Sequence, residues 1–261
     1  MRAYLPVFYP GRHGRLSLLY PHEVEYEGKK YPTGVHALAS FYLLPSLRKG
    51  KNCFCEGGCL YSVEALREWL RGITPHEDPG HIRMLRTAAF RREADIGAIV
   101  AWICFGAHQN SFDELVDFCS LRKDLGIDFD GHKKIGVDDQ GRRVEHALTG
   151  GEKEVVERYI IPSMFQDEQT VLELLNTKDS HLVCLDIPSR RWGAIWTYHH
   201  PLRAKPYEGL NAYGLCLEKY RAKLVRAIRL FLQSIRTEQG LSVSREEDEA
   251  LSHALDGLRV Y

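Results

Sequence analysis

The chain has 261 residues, 44% hydrophobic and 27% charged, with 35 basic against 35 acidic side chains and a formal net charge of +0. This fits one large domain, or one domain with a sizeable insertion, and gives no global electrostatic pull toward nucleic acid or an anionic membrane. No apolar run approaches the ~18 residues that span a bilayer, Met1 to Pro6 shows no signal-peptide apolar region, and seven cysteines read as reduced thiols, so an intracellular protein is expected.

Residues 4 to 31 read as β-rich. Tyr4 to Tyr9 is a short apolar run. Gly11 to Gly14 is a turn carrying Arg12 and His13, with Arg15 beyond it. Leu16 to Pro21 and Glu23 to Tyr26 are the next strand candidates. Val24 and Tyr26 alternate ahead of a turn at Gly28, Pro32 fixes an extended approach, and Thr33 is the N-cap of a helix predicted to Leu44, where Pro45 stops it. A solvated turn at Lys49 to Asn52 leads to Cys53-Phe54-Cys55-Glu56-Gly57-Gly58-Cys59.

Ser62 caps an amphipathic helix over Val63 to Arg71, with Leu66, Trp69 and Leu70 on one face and Gly72 ending it. Pro75 to Gly80 is a loop, Ile82 to Arg92 is helical, and Ile96 to Phe105 is apolar enough to be buried. Phe112 to Leu125 has helical spacing. Gly126 to Gly151 is dense in Gly, Asp, Lys and Arg and reads as a surface loop of hairpin character. Helix returns over 152 to 176, with a kink or new start at Pro162. Leu182 to Leu185 is a short buried strand, and Gly209 to Gly214 opens a long helix toward Ser234. The charge-rich tail, with Glu246-Glu247-Asp248-Glu249, is expected to form a peripheral helix.

Three segments, in order and at matching spacing, resemble the NADAR family, the YbiA-like N-glycosidases. The first is Phe8-Tyr9, then Leu16-Ser17-Leu18-Leu19, then Gly28-Lys29-Lys30-Tyr31-Pro32-Thr33-Gly34-Val35-His36. It is similar to the family's aromatic pair, Phe-Ser-Asn-Phe-like run and Gly-Lys-x-Trp/Tyr-Pro-Thr/Ser-x-Glu-His. The second, Leu174-Leu175-Asn176-Thr177-Lys178-Asp179-Ser180-His181-Leu182-Val183, resembles Leu-Leu-x-Thr-Gly-Asp-x-x-Leu-Val. The third is Trp192-Gly193 with Gly209-Leu210-Asn211-Ala212-Tyr213-Gly214 through Leu217 to Arg221, similar to Trp-Gly and Gly-x-Asn-x-Leu-Gly-x-x-Leu-Met-x-x-Arg. The resemblance covers about residues 8 to 44 and 153 to 224. It implies an α+β fold, mainly helical with a small N-terminal β portion and a long central insertion at about 50–150. The expected organisation is a NADAR-like domain over 1–235 and a peripheral helical tail over 236–261.

The resemblance also implies cleavage of an N-glycosidic bond in riboflavin-pathway intermediates or ADP-ribosylated guanine. That chemistry needs a carboxylate near the anomeric carbon, a Lys partner, and protonation of the leaving base. The family's Glu falls on Val35, its Gln and Lys on Ala39 and Tyr42, the Asn of its first motif on Leu18, and the Asp or Cys after Trp-Gly on Ala194. No catalytic residue is therefore carried over. The pocket positions that survive are Phe8, Tyr9, His36, Trp192, Gly193 and Asn211, of which His36 and Asn211 have structural readings too.

The expectation is a protein that has lost N-glycosidase activity and serves as a binding or structural component of a larger assembly, with protein partners and a nucleotide-like ligand in view. One alternative is an active N-glycosidase whose catalytic carboxylate has moved to Glu23, Glu25, Glu27, Asp186 or Glu208. Another is a zinc-stabilised interaction module. In it Cys53, Cys55 and Cys59 bind the metal with His76, His81 or another Cys, although Cys-x-Cys-x3-Cys is not a two-knuckle spacing and free thiols in a loop are the competing reading. Otherwise no cofactor is expected. Arg12, His13 and Arg15 either grip a phosphate or form a solvated loop. His199-His200 beside Trp196 and Tyr198 either line the pocket or pack. Lys219, Arg221, Lys223, Arg226 and Arg229 either meet an acidic face or nucleic acid, or lie on a solvated helix face.

Overall fold

A two-residue turn and a cap set the first ordered unit. Glu27 and Gly28 both take left-handed backbone, with φ of 51° and 68°, as a tight hairpin matched to strand twist requires. The turn joins β2 (Pro21–Tyr26) to β3 (Lys29–Thr33) in an antiparallel pair, Val24 opposite Tyr31 and Tyr26 opposite Lys29. Alternation buries Val24, Tyr26, Tyr31 and Thr33 on one face. Thr33 then caps α1 (Gly34–Phe41), its hydroxyl accepting from the His36 N–H. The computed structural model describes residues 3–11, 13–43, 50, 52–73, 80–90, 95–105, 136–137, 143–144, 150–186, 192–196 and 206–238.

The β structure is not confined to the N-terminus. β1 (Tyr4–Val7) lies parallel to β6 (His181–Cys184), with Tyr4 opposite His181 and Val7 opposite Cys184. The ladder continues through the Leu185 N–H to the Val7 carbonyl, 2.9 Å, and on its other edge through the Ala194 N–H to the Cys184 carbonyl, 2.8 Å. Two short antiparallel pairs complete the strands: β4 (Gly136–Val137) with β5 (Arg143–Val144), inside the segment read as hairpin-like, and β7 (Ile195–Trp196) with β8 (Tyr207–Glu208). The expected strand at Leu16 to Pro21 is absent as such. Gly14–Leu16 is a 3-10 turn, the Ser17 hydroxyl accepts the Leu19 N–H at 2.9 Å, and strand begins only at Pro21. Leu16, Leu18 and Leu19 are all buried, a pattern with no two-residue period, so the apolar run makes a buried turn instead.

Helices supply most of the core. α2 (Val63–Arg71) is capped by Ser62, whose hydroxyl accepts from the Ala65 N–H at 3.1 Å, and it buries Leu66 and Leu70. α3 (Gly80–Phe90) and α4 (Ile96–Phe105) follow, the latter buried along most of its length. Phe54, Leu60, Leu66, Leu70, Leu85, Val100 and Ile103 join the same hydrophobic cluster as Val35, Leu38, Leu182 and Trp192. The first part of the 50–150 stretch is thus core rather than added surface. The helix expected at 112–125, the rest of the 126–149 loop and most of the tail lie outside the described residues.

Chain returns to the core through α5 (Gly150–Glu154), a wide π turn at Val155–Ile160, α6 (Ile161–Met164) and α7 (Glu168–Asn176). In the π turn the Ile161 N–H reaches the Val156 carbonyl. Pro162, which has no N–H to donate, sits in the first turn of α6, the new start expected there. α8 (Ala212–Glu238) closes the fold and runs unbroken past residue 235. The architecture is α+β, and no helix among the described residues is long and apolar enough to cross a membrane.

Candidate functional site

The surviving family-like positions divide into two groups. His36, Trp192 and Asn211 turn inward to three separate sets of partners. Phe8 and Tyr9 follow the C-terminal end of β1, and Tyr9 lies beside a pair of carboxylates.

His36 is fully buried in the first turn of α1. Its Nε2 lies 2.9 Å from the Leu60 carbonyl and its Nδ1 2.7 Å from the Thr33 hydroxyl. A carbonyl only accepts, so Nε2 carries the proton and Nδ1 accepts from Thr33. Burial pushes the imidazole pKa down to about 4, against the smaller opposing effect of the Leu60 bond. His36 is therefore a neutral rivet between α1 and the 52–60 loop. Asn52 fixes the start of that loop, donating to Ser40 at 2.7 Å and to Tyr31 at 3.2 Å and accepting from the Phe54 N–H at 2.8 Å.

Asn211 sits just before α8 with φ 50°, preceded by Gly209 at φ 110°. Its amide donates to the Leu182 carbonyl at 2.6 Å, and its oxygen accepts from the Cys184 N–H at 3.0 Å. It thus pairs with β6 as one more strand residue would. Gly214 follows because nothing larger fits: a Cβ there would stand 2.2 Å from the Leu182 carbonyl oxygen. Trp192 is buried and donates from Nε1 to the Tyr42 hydroxyl at 3.2 Å, which in turn donates to the buried Glu152 carboxylate at 2.7 Å. The Trp192 and Gly193 carbonyls accept from the Tyr213 and Asn211 N–H groups, 3.0 and 3.1 Å. Val35 and Ala194 are buried core positions.

At the other group, the Tyr9 N–H donates to Asp186 Oδ1 at 2.6 Å, and Ser17 also hydrogen-bonds this carboxylate. Burial raises the Asp186 pKa to about 6; the Ser17 and Tyr9 bonds oppose the rise, and the neighbouring Asp95 charge adds to it. The Tyr9 ring meets Tyr20 edge-on at 5.6 Å, and its phenol is shifted up by burial first and then by Asp95 and Tyr20. Asp95 caps α4, accepting from the Gly97 N–H at 2.7 Å. Gly97 brings that helix start against the Leu19 carbonyl and the Thr33 methyl, the latter in the cap of α1. Two carboxylates, two tyrosines and a serine thus surround the entrance to α1. Phe8 is partly exposed and covers Gly11. Arg15 binds Asp167 at 3.1 Å and lies over Tyr20, while His13 pairs with Glu173 at 3.6 Å.

Of the carboxylates singled out in the sequence, Asp186 reaches this cluster. Lys30 pairs Glu23 at 2.8 Å on the hairpin surface, and Glu25 and Glu56 border a cleft of about 470 Å³ with Lys29, Lys30, Asn52 and Cys55. Asp95 and Glu152 carried no family motif. Asp95 was readable as a cap ahead of the Ile96 apolar run; Glu152 gave no signal. Arg221 departs from the expected basic series: it is fully buried and donates to the Thr177 hydroxyl at 2.5 Å and the Ser180 carbonyl at 2.8 Å. Among the described residues no three His, Cys, Asp or Glu side chains converge as a metal site. Burial pushes the Cys53 thiol well up, and the Cys55 thiol lies toward the Asn52 and Glu56 carbonyls at 3.5 and 3.7 Å. His76, the His81 side chain, Arg12, His199 and His200 lie outside the described residues. Compared with known proteins, the chain matches no family model, no curated protein and no solved structure at a significant level.

Proposed function

We propose that the chain is a NADAR-like protein that no longer cleaves N-glycosidic bonds and acts as a binding or structural component of a larger assembly. The observation that carries this reading is the use made of the polar residues it shares with the family motifs. His36, Trp192 and Asn211 each spend their hydrogen-bonding atoms on the fold itself, and the position of the family Glu is the buried Val35. Side chains already bonded within the fold have less to offer a ribose or a leaving base. Lys178 supports the resemblance: it takes φ 51° at the place where the family motif has glycine.

A second reading is favoured by Asp186. A carboxyl held near pKa 6 by burial and a neighbouring carboxylate is suited to protonate a leaving base, which makes a relocated N-glycosidase the alternative. One assay separates them. The purified protein is given a ribosylaminouracil phosphate and an ADP-ribosylated guanine oligonucleotide beside an active family member. No base release, with the control active, is the expected result. Release that disappears in Asp186→Asn overturns the first reading and installs the second.

A further inference from the structure

The loop that His36 holds against α1 also brings two thiols side by side. Cys53, Cys55, Cys59 and Cys104 are all thiols rather than disulfides. The loop folds back on itself: the Gly58 N–H donates to the Cys55 carbonyl and the Leu60 N–H to the Cys53 carbonyl, both at 2.8 Å. Gly58 lies so close on the Cys53 peptide that a Cβ there would stand 2.5 Å from the Cys53 carbonyl carbon. The Leu60 bond therefore ties the carbonyl of one cysteine to the N–H that follows the other. By standard peptide dimensions, a bond of this kind sets the two cysteine Cα atoms about 5–6 Å apart. That is inside the ~4.4–6.8 Å that a disulfide spans.

The side chains agree with the backbone. Cys53 and Cys59 are both half-buried and pack against the same hydrophobic core, so both turn to the inner side of the loop. Among the neighbouring thiols that act on Cys53, Cys59 has the largest effect, ahead of Cys104 and Cys55. Cys55 is turned toward the Asn52 and Glu56 carbonyls, at 3.5 and 3.7 Å.

We propose that Cys53 and Cys59 form a redox modification site, which a peroxide converts to a disulfide that closes the loop covalently. The peroxide oxidises one thiol to a sulfenic acid; its O–O bond breaks and one water leaves. The second sulfur attacks the sulfenic sulfur. The S–S bond forms, and the hydroxyl leaves with the second thiol's proton as another water. Two thiols are oxidised to one disulfide and one peroxide is reduced to two waters. The bond pins a loop whose Leu60 carbonyl holds His36 and whose Glu56 N–H meets the Lys30 carbonyl at 3.2 Å, along the edge of β3. Asn52, Cys55 and Glu56 of this loop also line the cleft beside the hairpin. Burial keeps the Cys53 thiol protonated, so closure is slow at neutral pH and quickens as pH rises.

The test is differential labelling of the full chain. The folded protein is exposed to excess hydrogen peroxide at mildly alkaline pH until its thiol count stops falling. It is then denatured and alkylated with a first reagent, reduced, and alkylated with a second. Cleavage after Lys51 and Arg67 gives one peptide that carries Cys53, Cys55 and Cys59, and fragmentation assigns the label on each. The same treatment of the chain in urea shows the pairing that nearness in sequence alone produces. The expected result in the folded chain is the second label on Cys53 and Cys59 together, at least tenfold over Cys55, within a single chain. In urea Cys55 competes and the labels spread over all three. Cys59→Ser is expected to leave the first label on Cys53, and Cys55→Ser to leave the pairing unchanged. Retention of the first label on all three cysteines of the native chain overturns the proposal. So does a bond from Cys53 to Cys55, to Cys104 or to a second chain, or the same mixture of pairs in the folded chain and in urea.

Discussion

Replacing Asn211 with alanine removes a clamp on both sides of β6. The amide bond to the Leu182 carbonyl and the Cys184 N–H bond to the amide oxygen are both buried, at 2.6 and 3.0 Å. Each such bond is worth about 1 kcal/mol net, and each partner left buried without a replacement costs about 1–3 kcal/mol. The backbone stays at φ 50°, where alanine fares worse than asparagine by up to about 1 kcal/mol. Together these predict a loss of about 3–5 kcal/mol, a large part of the total for a typical domain. Equilibrium urea unfolding measures it directly. Asn211→Asp adds a sharper test. It keeps an acceptor for the Cys184 N–H but sets a carboxylate oxygen against the Leu182 carbonyl. It is predicted to be at least as costly as alanine at pH 7 and to recover as acid protonates the new carboxyl. A loss below about 1 kcal/mol in Asn211→Ala, or an Asn211→Asp as stable as the native chain at pH 7, refutes the structural role of this residue and returns it to the list of ligand-binding candidates.

The buried His36 and the partly buried Asp186 are predicted to oppose each other in acid. His36 protonates near pH 6.5 unfolded and about 4 folded, so its stability contribution is complete above 6.5 and falls by about 3 kcal/mol as pH drops toward 4. Asp186 goes from 3.8 unfolded to about 6 folded; its contribution is complete below 3.8 and falls, by about 2 kcal/mol after allowing for partial exposure, as pH rises through 6. His36→Gln should therefore gain stability on acidification relative to the native chain, and Asp186→Asn should lose it; parallel unfolding profiles from pH 4 to 7 for all three proteins would contradict this. Gly214→Ala places a methyl 2.2 Å from a backbone oxygen and is predicted to cost about 3 kcal/mol or more, whereas Gly28→Ala, in open space at φ 68°, should cost about 1; similar denaturation midpoints for the two would break the argument. Lys178→Gly relieves a left-handed lysine at φ 51° and should raise stability by about 0.5–1 kcal/mol, read from the midpoint at constant slope.

Signals contained within a few residues were legible in the sequence. The turn at Gly28, the caps at Thr33 and Ser62, and the fresh start at Pro162 are each fixed by local backbone chemistry. Leu16 to Leu19 was misread because a short apolar run looks the same whether it is a strand or a buried turn. The parallel pairing of β1 with β6 joins residues at opposite ends of the chain, and no local pattern announces such a partner. The same is true of Asn211, whose job exists only once β6 lies beside it, and of Arg221, whose basic character hid a seat on Thr177 and Ser180. At the candidate site Asp186 stood out by its nearness to a motif; Asp95 was legible as a helix cap, but its meeting with Asp186 joins residues 91 apart in the chain, which no local pattern announces.

The wide turn at Val155–Ile160 governs where the preceding helix points. Each residue of an α-helix advances the azimuth by about 100°, and a π turn absorbs one residue beyond the ordinary repeat. Shortening this turn by one residue would let it relax to regular helix and rotate α5 by roughly that angle. Glu152 would swing away from the Tyr42 hydroxyl, and a carboxylate now sealed in the interior would face a new surrounding. The spare residue is thus a phase adjustment: it sets the angle at which α5 presents Glu152 to Tyr42.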